Sequence, residues 1–113
     1  MTPTARTLKR LRDNGYIAQV VEKYNSFSRK RIDLFGCIDV VAIHPAQKGV
    51  LGIQATTTGH MAARIKKSKA IPALRVWLQA GNQFEVVGWS KKGPRGKRKI
   101  WTFKVVGILL GDL

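Results

Sequence analysis

The sequence predicts a mixed α/β domain, and three observations carry that prediction. Short runs rich in β-branched and aromatic residues recur at 16–24, 36–43, 50–56, 84–90 and 100–106. Segments with helical spacing and helix end signals stand before and among them. Gly, Pro and Asn punctuate the junctions, and 113 residues support one hydrophobic core, read as a single domain over 1–113. The expected order is α-β-β-β-α-α-β-β.

The first helix begins at Thr4, whose hydroxyl can accept from the opening amides, and ends at Gly15, suited to a C-terminal cap. Leu8 and Leu11 share its inner face. Residues 16–24 form the first strand, and 25–32 form a polar, basic connection. Residues 36–43 are almost continuously apolar, the pattern of a strand buried on both faces. His44 to Gly49 hold the turn formers, and 50–56 return as the third strand. Thr58 is placed to cap a helix over 60–69, with Met61, Ala62 and Ile65 as its apolar stripe and lysines toward its C-terminal end. Residues 73–80 suit strand alternation or a helix; Pro72 before them and Gly81-Asn82 after them favour the helix. Residues 84–90 and 100–106 then pair as a hairpin across a basic connection over 91–99.

Charge narrows the function classes. Twenty-one Lys and Arg against six Asp and Glu leave +15, a self-repelling field that a polyanion relieves. Nucleic acid is the polyanion expected, since each neutralised phosphate releases condensed counterions. One cysteine, Cys37, excludes an internal disulfide framework and suggests a reducing compartment. Cys37 with His44 and His60 cannot make a structural zinc site. No segment approaches ~20 consecutive apolar residues, so neither a signal peptide nor a membrane span is expected.

With only six acidic residues, each can be weighed. Asp13 reads as a helix-end surface residue, Asp112 as part of the tail, and Glu85 as a solvated residue of an edge-like hairpin. Asp39 differs because it interrupts an apolar strand, where an ionised carboxylate is costly without a metal or several donors. If Ile43 and Val50 flank the turn as opposed residues, Asp39 lies directly across from Gln54, with Cβ atoms about 5 Å apart on one face. Thr56 shares that face. An aspartate and an amide oxygen so placed suit one hard cation, which would activate water for phosphodiester hydrolysis. The same placement also suits a plain hydrogen bond from Gln54 or a loop amide to Asp39.

At these residues the sequence resembles a family. Asp33-Leu34-Phe35-Gly36-Cys37-Ile38-Asp39-Val40-Val41-Ala42, followed by Leu51-Gly52-Ile53-Gln54-Ala55-Thr56, is similar to the core of the PD-(D/E)XK nucleases. The likeness is greatest to archaeal-type Holliday-junction resolvases and to the VRR-NUC proteins of phages. The resemblance implies a restriction-endonuclease-like core, magnesium or manganese as cofactor, and a homodimer acting on branched or junction DNA. It further implies a phage or prophage product working in a bacterial cytoplasm. Asp39 matches the family's metal-binding aspartate. Gln54 stands where the family has Glu or Asp, and Thr56 where it has Lys. Lys66 or Lys67, in the following helix, would then supply the missing cation, while Glu22 and Asp33 would complete the acidic cluster. The expected metal ligands are Asp39, Gln54 and Asp33.

Three basic groups are expected to hold phosphates: Arg29-Lys30-Arg31; Arg64 with Lys66, Lys67 and Lys69; and Lys91, Lys92, Arg95, Lys97, Arg98 and Lys99. Trp89 and Trp101 flank the last group, with packing of a strand face expected ahead of base stacking. The leading expectation is a metal-dependent, structure-selective DNA endonuclease. A non-catalytic DNA-binding protein on a degenerate nuclease fold and an RNA-binding module stand as rivals.

Overall fold

The computed structural model describes residues 1–113 and has three helices around a mixed five-stranded sheet. Helix α1 (Pro3–Asp13) starts earlier than expected. Thr2, not Thr4, caps it by accepting from the amide of Ala5, because Pro3 takes the first helical position, where a missing N–H costs nothing. The chain leaves through Gly15 at φ +84°, then enters β1 (Ile17–Val20).

The strand expected over 16–24 breaks after Val20. Its second half, β2 (Lys23–Asn25), pairs with β3 (Lys30–Ile32) as a separate two-stranded arm, so the expected polar connection is a hairpin. Asn25 organises the arm's turn by accepting from the amides of Phe27 and Ser28, the local bonding that makes Asn a turn former. The buried strand expected over 36–43 is likewise shorter. Phe35 and Gly36 take positive φ in a tight turn closed by the Leu34–Ile38 bridge, and only β4 (Val40–Ile43) extends.

β4 turns back into β5 (Leu51–Thr57) in the expected register, with Val40 opposite Ile53, Val41 opposite Gly52 and Ala42 opposite Leu51. After β5, a 3-10 turn (Thr58–His60) leads into α2 (Met61–Lys69). Thr58 does not cap this helix; instead the Thr57 hydroxyl meets Nδ1 of His60 at 2.8 Å. Helix α3 (Pro72–Gln79) settles the ambiguous segment as helical.

The α2–α3 crossover allows β6 (Gln83–Lys92) to lie parallel to β5, and β7 (Ile100–Gly107) closes the sheet antiparallel to β6. The strand order β1-β4-β5-β6-β7 makes β6 an interior strand. Glu85 is therefore not the solvated residue of an edge-like hairpin. It is half-buried, and burial raises its pKa against the opposing pull of Arg10. Lys91 and Lys92 belong to the end of β6 rather than to the loop.

Strand alternation divides the core between the two faces. Under α1 lie Leu11, Ala18, Val40, Ala42, Leu51, Ile53, Val87 and Trp89. Under α2 and α3 lie Cys37, Ile38, Met61, Leu74, Phe84, Val86 and Ile108. Trp89 donates its indole N–H to Thr7 at 2.9 Å, and the Thr7 hydroxyl donates onward to the Pro3 carbonyl, so this buried polar pair is satisfied. On the other face, Gly88 lets Met61 and the 3-10 turn sit against the backbone: a Cβ there would collide with the Met61 sulfur and stand 3.1 Å from the Thr58 Cα. No helix is long and apolar enough to cross a membrane.

Candidate metal centre

Asp39 sits at the entrance to β4, where two strands hold its backbone. Its amide donates to the Ile53 carbonyl and its carbonyl accepts from Val21, both at 2.8 Å. Its side chain points to the α2/α3 face and is only 4% exposed. Gln54, on β5, shares that face at 3% exposure. The two meet as the register requires, with Nε2 of Gln54 donating to Oδ2 of Asp39 at 3.2 Å. The same Nε2 donates to Oδ2 of Asp33 at 3.2 Å, and the Ala55 amide donates to Asp39 at 2.9 Å. The simple hydrogen bonds that the sequence left open are therefore present.

They are not the whole arrangement. The break after Val20 brings Glu22 to the same place, so that carboxylate oxygens of Glu22, Asp33 and Asp39 all lie within 4.8 Å of one another. Glu22 and Asp33 are partly exposed and form the mouth, while Asp39 forms the floor. Burial, a proton shared with Asp33 and the neighbouring charges push the Asp39 pKa up to about 8, although the Ala55 amide opposes them. Three carboxylates so close repel one another when ionised, and a divalent cation is the species that removes both the repulsion and the desolvation cost. Their oxygen-only chemistry suits a hard ion such as Mg2+ or Mn2+.

Gln54 enters this set differently from the expectation. It presents its NH2 to both carboxylates, which gives each a hydrogen bond but no compensating charge. An amide oxygen facing those same anions would be repelled unless a cation stood between them. Thr56 is buried on the Gln54 face and brings a hydroxyl but no charge to it. Lys66 and Lys67 are exposed on α2, and neither forms an ion pair with the cluster. Lys67 nevertheless shares its electrostatic neighbourhood. Burial first, then the charges of Asp33 and Asp39, push the Cys37 thiol up to about 11 against the opposing pull of Lys67.

The three basic groups part company. Arg31 reaches the cluster and donates to Glu22 at 2.7 Å, bringing the β2–β3 arm with Arg29 and Lys30 beside it. Arg64 lies on the same helix as Lys67. The third group is remote from the carboxylates. Gln54 is level with Val86, and Lys92 lies six residues further along β6, roughly 20 Å at strand rise. Arg95, Lys97, Arg98 and Lys99 continue beyond it, all exposed.

Sequence reasoning missed the cleft next to the centre, about 560 Å³, walled by Val21, Tyr24, Phe27, Ile32, Asp33 and Phe35. Its signal lies in Phe27, the one aromatic inside the stretch that reads as a polar connection, with Tyr24 and Phe35 on either side of that stretch. Sequence reasoning also missed Arg6 and Arg10, which stack on the rings of Trp101 and Phe103. Compared with family models, with characterised proteins and with solved structures, this chain gives no match.

Proposed function

We propose that this protein is a metal-dependent, structure-selective DNA endonuclease with a restriction-endonuclease-like core, cutting branched DNA as a homodimer. One observation carries the reading. Three of only six acidic side chains converge on a single spot in a chain of net charge +15. Apart from Lys9 and Arg31, none of the 21 Lys and Arg side chains is paired with a carboxylate. A strongly cationic surface around one compact anionic pocket is the electrostatic layout of a phosphodiesterase: broad attraction for the backbone, with a local place for a cation.

Asp39, Asp33 and Glu22 would hold a divalent ion, and the amide of Gln54, turned by half a revolution, would offer its oxygen to the same ion. The bound ion supplies Lewis acidity toward the phosphoryl group and a water of lowered pKa. Lys67 contributes the positive charge that Thr56 cannot, and steadies the anionic phosphate. Arg31 and its neighbours on the arm hold the flanking backbone. A two-fold partner would place a second centre on a second strand, as paired cleavage of a junction requires.

Nicking of four-way, flap and duplex DNA in magnesium or manganese tests this reading. The expected result is product from branched DNA that Asp39→Ala abolishes. Tight binding with no product in either metal would overturn it. That outcome would favour the second reading, a non-catalytic DNA-binding protein, to which Thr56 in the lysine position points.

A further inference from the structure

Helix α1 packs over β1, β4, β5 and β6, and β7 projects past its edge. On this face β7 presents Trp101 and Phe103, because Phe103 pairs with Trp89, which faces α1. The two neighbouring tryptophans differ sharply: Trp89 is 8% exposed and belongs to the core, whereas Trp101 is 37% exposed. Phe103 and Val105 are also open to solvent. Arginines accompany the rings, Arg6 stacked 3.8 Å from the Trp101 centroid and Arg10 4.2 Å from Phe103. The Lys91 ammonium lies 5.5 Å from Trp101, and none of the three cations is paired with a carboxylate. The groove between α1 and β7, about 350 Å³, is lined by Arg6, Lys9, Arg10, Asp13, Trp101 and Phe103, the Asp13 carboxylate being held by Lys9 at 2.7 Å.

The chemistry of the groove selects its occupant. Unpaired guanidinium and ammonium groups demand an anion, and partly exposed rings demand a flat apolar surface beside it. An unpaired nucleic-acid strand supplies both, phosphates to the cations and bases to the rings. A duplex supplies only the phosphates, since its base faces are hidden in the stack. Contact with Trp101 and Phe103 already restrains the two guanidinium groups, so less side-chain freedom is lost on binding. The basic loop over 93–99 continues from the same end of the sheet.

We propose that the α1–β7 groove is a binding ledge for an unpaired DNA strand, on the opposite sheet face from the acidic cluster. The strand pattern supports the separation: Gln54, Val86 and Val106 share the cluster's face, while Val87, Trp89 and Phe103 point the other way. This rests on the nucleic-acid part of the proposed function and not on cleavage. On branched DNA the ledge would hold a single-stranded arm while the carboxylates meet a phosphodiester elsewhere.

Fluorescence anisotropy with a labelled oligo-dT and a blunt duplex of equal length tests the ledge. Working in EDTA keeps the readout independent of cutting, so a failed nicking assay leaves this measurement intact. Trp101→Ala is expected to weaken oligo-dT binding about tenfold and duplex binding less than about twofold, with Trp101→Phe retaining most of the affinity. An equal loss on both ligands, or no loss on oligo-dT, would overturn the proposal. Circular dichroism of each variant separates loss of binding from loss of fold.

Discussion

Asp39 meets its two neighbours through an ordinary consequence of β pairing, yet its environment makes it the most costly carboxylate to charge in this chain. With the folded pKa near 8 and the ordinary value at 3.8, the folded state keeps a proton that the unfolded chain has released. Stability therefore falls as pH rises from about 4 through about 8 and then levels off, because the unfolded state binds fewer protons over that window. Asp39→Asn removes the charge while keeping a carbonyl for the Ala55 amide. It is expected to raise the melting temperature of the metal-free protein at pH 8.5 by roughly 4 °C or more and to change it little at pH 4. Thermal scans at the two pH values check this, and equal shifts at both would remove the electrostatic explanation. Manganese should stabilise the wild type at pH 8.5 and leave Asp39→Asn almost unmoved; at a hundred times Kd the gain is about 2.7 kcal/mol.

Elements bring these residues together, and only some of those meetings are legible in the sequence. Substituting Gly88 by Ala tests how tightly α2 closes on the sheet. At an unstrained, uncrowded site this change stabilises, whereas here the new methyl would meet Met61 and Thr58, and a loss of about 1–3 kcal/mol in urea unfolding is expected. The β4–β5 pairing is legible because His44 to Gly49 offer only one compact turn, and that turn alone puts Asp39 across from Gln54. The arrival of Glu22 is legible only through the family resemblance, which places it in the acidic cluster with Asp33, and not through local pattern. It depends on a break after Val20, inside a run whose β-branched residues give no local reason to stop. Local pattern cannot separate Trp89 from Trp101 either. Both flank one loop in strands, and the interior position of one comes from where α1 lies, a tertiary fact. Glu85 is misread for the same reason, since a hairpin seen alone does not reveal a parallel neighbour.

Across the whole molecule the cations decide behaviour in solution. If about six phosphates are engaged, affinity for DNA should fall about a thousandfold or more between roughly 50 and 200 mM salt. A filter-binding series across that range measures the slope, and a flat response would discredit the electrostatic reading of +15. The arm and the β7 edge differ in kind here: Arg31 is already ion-paired with Glu22, whereas Arg6 and Arg10 lie over rings and form no ion pair. The hydrogen bond from Trp89 to Thr7 spans 82 residues, which makes it a clock for folding. It cannot close until β6 has been made and docked through the α2–α3 crossover. β1, β4 and β5 can cover part of α1 before then, but the region around Thr7 stays open until Trp89 arrives, and a chain stalled before β6 would carry that sticky apolar surface into the crowded cell.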